Sequence, residues 1–122
     1  MLFASSFAMS QKPYKVFCEL LGTGKLMSTK VIVTVDFGQK TSIYNIYKQK
    51  LVDENGESIE FNSMIDAMNY MSKSGWVFEQ AYHVGVNGQN VIHWLLSKEV
   101  TSDEEIKEGF ITKQEFDKIN KD

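Results

Sequence analysis

Two apolar runs, Trp76 to Val86 and Val91 to Lys98, are separated only by Asn87-Gly88-Gln89-Asn90. Asn-Gly takes up positive φ at little cost, as a tight antiparallel turn requires. The two runs therefore read as a β-hairpin. A hairpin cannot stand alone in water. It needs further strands and a layer over one face.

The rest of the chain offers both. Lys30 to Phe37 places Val31, Val33, Val35 and Phe37 on one side of a strand, with Ile32 and Thr34 on the other. Tyr14 to Leu21 alternates in the same way and is broken by Gly22-Thr23-Gly24-Lys25. That tetrapeptide is not a phosphate loop. Glu19 stands where the motif's first glycine belongs, and Leu26 follows the lysine in place of Ser or Thr. Ser42 to Val52 is rich in β-branched and aromatic residues and reads as a strand bent near Lys48-Gln49-Lys50. Asp53-Glu54-Asn55-Gly56 then reads as a turn, and Ser58–Phe61 as a short strand. Ser63 can cap a helix by accepting from the amide of Asp66. Met64, Ala67, Met68 and Met71 make its apolar face, and Gly75 ends it. The expected fold is α+β: an antiparallel sheet of four or five strands with one helix packed on a face, and a short helical C-terminal tail. Residues 11–100 are the core domain and 101–122 the tail.

Composition sets the class of partner. Hydrophobic residues at 43% and charged residues at 24% fit a globular domain and exclude a disordered or polytopic membrane chain. All thirteen basic residues are lysine and the net charge is −3, so the chain lacks the planar fork that grips phosphate or guanine. Nucleic acid is not an expected partner. Residues 1–98 hold nine lysines and eight acids, whereas 99–122 hold four and eight, which leaves the tail acidic. Residues 1–10 are uncharged, and Ala8 and Ser10 supply the small-x-small pattern of a signal-peptidase cut. They read either as the remnant of a longer signal peptide, which implies a periplasmic or secreted protein, or as an ordinary apolar N-terminal segment, which leaves a cytoplasmic one open. The segment is too short to span a bilayer.

Cys18 is the only cysteine, so no intrachain disulfide forms, and it reads as a buried, inert thiol. The two histidines, His83 and His93, fall on the two arms of the hairpin. A two-residue turn at Asn87-Gly88 sets His83 opposite Ile92 and sends the imidazoles to opposite sides. A three-residue loop sets His83 opposite His93. Only that second register makes a metal pair, with Glu79 or Cys18 as a third ligand. Asn-Gly favours the first register, so no metal is expected and both histidines read as sheet residues. No catalytic motif stands out, and no cofactor is called for.

Two stretches carry family resemblances. A helix ending in Gly75-Trp76 and leading into the last hairpin resembles a family of small bacterial domains to which no activity is assigned. That resemblance implies a fold. Residues 103–116, Asp-Glu-Glu-Ile-Lys-Glu-Gly-Phe-Ile-Thr-Lys-Gln-Glu-Phe, resemble the short C-terminal domain at the ends of many bacterial proteins. Thr112 with Glu115, and Ser102 with Glu105, have capping-box spacing, and Ile111 with Phe116 has that of a hydrophobic staple. This second resemblance implies self-association or docking through Ile106, Phe110, Ile111 and Phe116; the same residues can also fold back on their own domain. The expected function is a non-catalytic binding domain, forming a homo-oligomer through its tail or binding an unidentified protein or small ligand. The alternative is a small-ligand or metal-binding protein, conceivably an enzyme, that uses the 76–98 hairpin.

Overall fold

A computed structural model describes residues 12–24, 27–86 and 89–121. The expected turn at Asn87-Gly88, the signal-peptide reading of residues 1–10 and the Lys25-Leu26 end of the glycine tetrapeptide lie outside the described residues. Five strands form one antiparallel sheet: β1 (Tyr14–Gly24), β2 (Val31–Asp36), β3 (Glu60–Phe61), β4 (Val77–Val86) and β5 (Gln89–Val100). Their order is β3-β2-β1-β5-β4. The central strand β1 pairs Leu20 with Val35 on one side and with Trp94 on the other. Directly opposed residues share a face. One face therefore gathers Cys18, Leu20, Val33, Val35 and Leu96, which are all buried. The fold is α+β with a two-layer core.

Helix α1 (Met64–Ser72) covers that inner face with Met64, Ala67 and Met71, which join the same core cluster. The Ser63 hydroxyl accepts from the Asp66 N–H at 3.2 Å, and Asp66 in turn accepts from the Asn62 N–H at 2.9 Å. These bonds satisfy donors that the first turn would leave open. Gly75 takes φ +99° just before Trp76, which is almost fully buried.

The stretch expected to be a strand from Ser42 to Val52 is different. Ile43–Gln49 is a 3₁₀ helix, followed by single bridges from Lys50 to Thr34, Leu51 to Thr112 and Val52 to Ser58. Ile43, Ile46 and Tyr47 also fit a helical spacing, so their β propensity did not decide the matter. The buried side chain of Gln49 anchors the end of the helix. It donates to Thr41 Oγ1 and Gln114 Oε1 at 3.1 Å each and accepts from Gln39 Nε2 at 2.6 Å. A strand interior would offer no such polar nest.

The tail packs on this body through a 3₁₀ turn (Asp103–Lys107) and helix α2 (Lys113–Ile119). Thr112 and Glu115 form a reciprocal capping box, at 3.3 Å from the Glu115 N–H to Thr112 Oγ1 and 3.2 Å from the Thr112 N–H to Glu115 Oε1. Phe110 is buried edge-on to Phe37 at 5.6 Å, and Ile106 packs against the same core. The Ile111 carbonyl accepts from the Val52 N–H at 3.1 Å, and the Lys50 carbonyl from the Lys113 N–H at 2.9 Å. Lys98 Nζ reaches the Glu105 carbonyl at 2.7 Å. No helix among the described residues is long and apolar enough to cross a membrane.

Candidate functional site

Among the described residues the outer face of the sheet carries no α-helix, only the 3₁₀ segment on its β2 side, and strand register dictates what it displays. Tyr82 opposes His93, His93 opposes Leu21, Leu21 opposes Thr34, and Thr34 bridges Lys50. These five side chains form one row across the sheet. The neighbouring row toward the hairpin tip is Val84, Val91, Thr23 and Ile32. On the other side of the first row, Leu95 opposes Glu19, which opposes Asp36.

A polar cluster forms where these rows meet on β1, β4 and β5. Glu19 accepts from the Tyr82 hydroxyl at 2.8 Å and lies 3.1 Å from His93 Nδ1. A carboxylate only accepts, so Nδ1 carries the proton of this contact. The Tyr82 and His93 rings stack at 4.7 Å with 9° between their planes. The hydrogen bond to Glu19, with a smaller contribution from burial, raises the Tyr82 pKa, which keeps the phenol protonated.

Beside this cluster lies a groove of about 370 Å³ between the sheet and the 3₁₀ helix. Leu21, Ile32, Ile46, Tyr47 and Val91 give it apolar walls, and Thr23, Thr34 and Lys50 are its polar members. A smaller cavity of about 150 Å³ adjoins it through Leu21, Thr34 and Ile46 and is bordered by Glu19 and Asp36. Lys50 has no ion-pair or side-chain hydrogen-bond partner among the described residues. The groove thus has apolar walls with Lys50 as its cationic member, and Glu19 and Asp36 border the adjoining cavity. His93 and Lys50 are three strand spacings apart, roughly 14 Å.

Other sequence candidates fall elsewhere. His83 opposes Ile92, the register of a two-residue turn, so it points away from His93. Glu79 accepts from Ser97 Oγ and lies 3.7 Å from Lys15 Nζ. Cys18 sits on the inner face, where burial pushes its thiol up to about 12 and holds it protonated. Among the described residues no group of three or more His, Cys, Asp and Glu side chains is placed to hold a metal ion. Ile106 and Phe110 belong to the core, and the Phe116 ring lies over Gly56.

Sequence reasoning missed Glu19 and Lys50. Glu19 is one position in an alternating strand, and only the β1–β5 pairing brings it to His93. Comparison with protein-family models, curated proteins and solved structures finds no match to this chain.

Proposed function

We propose that this protein is a non-catalytic binding domain whose ligand lies on the outer face of the sheet, and that the ligand is a small amphiphile with an anionic head. The observation that carries this reading is the groove of about 370 Å³, with apolar walls and one lysine that has no side-chain partner among the described residues. Its volume falls in the range of small-molecule sites, and its lining has their usual chemistry of apolar walls with a few directing polar groups. Charge sets the orientation. The head belongs at Lys50, the groove's one cationic member, because Glu19 and Asp36 border the adjoining cavity and repel an anion there, and the apolar body covers Leu21, Ile32 and Val91.

The tail is a weaker basis for an interaction. Phe110 could meet a partner only after leaving the core, and its exposure would cost a few kcal/mol, while Ile106 is half-buried against the same core. Nucleophilic chemistry has no support either, because Cys18 is protonated and lies on the opposite face from His93.

Calorimetric titration with decanoate tests the proposal. Saturable one-site binding is expected. Lys50→Ala should weaken it by about tenfold, roughly 1.4 kcal/mol, and Ile32→Trp should abolish it by filling the groove. Decyltrimethylammonium, with the same tail and opposite charge, should not bind. Absence of saturable decanoate binding, or equal affinity for the cationic analogue, would reject the reading.

A further inference from the structure

The two edges of the sheet are built differently. At one end β3 is only two residues long, and the adjoining edge of β2 is met by Lys50 at Thr34. At the other end β4 runs ten residues, and nothing among the described residues pairs with its outer side. Soluble proteins usually blunt such an edge with lysine, proline or a bulge. Val77–Val86 contains neither lysine nor proline. Its one bulge lies at the start, between Phe78 and Gln80. Its single acid, Glu79, sits at that bulge with Lys15 Nζ 3.7 Å away. From Gln80 to Val86 the strand carries no formal charge, and Tyr82 and Val84 stand more than 40% exposed along it.

We propose that β4 is a self-association edge, on which a second copy of this chain adds its own β4 antiparallel and joins the two sheets into one. Three features favour a second copy as the occupant. An antiparallel pair about a two-fold axis is self-complementary, so a single unblunted edge is enough. The absence of net charge removes the repulsion that two like strands would otherwise feel. Closure is complete after two chains, because each dimer then ends in the two-residue β3 edges. The register is constrained as well. A two-fold axis perpendicular to the sheet keeps the faces aligned, so a side chain can oppose only one on its own face. Tyr82 therefore meets Gln80, Tyr82 or Val84 of the second copy, never Ala81 or His83. Exposed apolar surface is buried in each case.

Light scattering on the full chain across a dilution series tests the proposal, together with hydrogen exchange at each concentration. Twice the chain mass is expected at high concentration, with β4 amides exchanging more slowly there than in dilute solution. Val84→Lys and Ala81→Lys should each raise the dissociation constant by about tenfold or more, by placing a charged, strongly hydrated ammonium on each strand of the joint. Their circular dichroism should stay that of the parent. If Val84→Lys loses its fold, Gln80→Lys, exposed on the same edge, takes its place. A monomer throughout the series overturns the proposal. So does a dimer that persists in the lysine variants, or one whose β4 amides exchange at the same rate as in the monomer.

Discussion

Tyr14 and Asp103 show how much a single proton can hold. The Tyr14 hydroxyl donates to Asp103 Oδ1 at 2.6 Å, and this bond, with the negative charges of Asp103, Glu105 and Glu104 nearby, pushes the phenol up to about 12. The folded state keeps the proton more tightly than the unfolded chain. The contact therefore stabilises fully below the ordinary tyrosine value of 10.0 and is lost as pH rises through about 12. Phenolate absorbance should show one tyrosine ionising near the top of that window. Tyr14→Phe should remove that step and flatten the loss of stability between those two values. Glu105 has the opposite sign. Hydrogen bonds from the Thr101 side chain and backbone hold its carboxyl below the usual range, so its contribution is present above that range and fades as pH falls through the lowered value. The Ser102–Glu105 spacing was legible in the sequence because a cap is a local contact. The tie from Tyr14 to Asp103 was not, because it joins residues 89 apart.

At the level of elements, the tail is held by a close approach that admits no side chain. Gly56 has φ +81°, and a Cβ there would lie 2.5 Å from the Phe116 ring. A rigid ring cannot step aside as a lysine end could. Gly56→Ala should therefore cost about 2 kcal/mol in urea unfolding, from backbone strain and overpacking together. Adding Phe116→Leu should recover part of that loss, whereas independent effects would simply add. The hairpin, α1 and its cap, and the Thr112–Glu115 box could all be read from the sequence, since each depends on residues within a few positions of one another. Residues 42–52 could not. Their β-branched content suits a strand, but the burial of Gln49 among Gln39, Thr41 and Gln114 is settled by parts of the chain distant in sequence. The groove lies beyond local reading for the same reason, since its walls come from β1, β2, β5 and the 3₁₀ segment.

For the whole molecule, the centre of gravity is Leu20, fully buried and opposed by Val35 on one side and Trp94 on the other. Leu20→Ala should cost about 3 kcal/mol in the midpoint of denaturant unfolding, because three strands and the helix layer cannot all close on the cavity. The α+β class was legible because two-residue and near-four-residue periods decide which side chains go inward. Strand order was not, because nothing local joins the first strand to the last. That order has a consequence for biosynthesis. Tyr14 finds its partner only when Val100 exists, so a nascent chain has one side of its central strand open until nearly all of β5 has left the ribosome. The growing polypeptide passes through that interval without a finished sheet. Over the same span of seconds the unpaired side of β1 is the part of the partly made chain most open to wrong pairings.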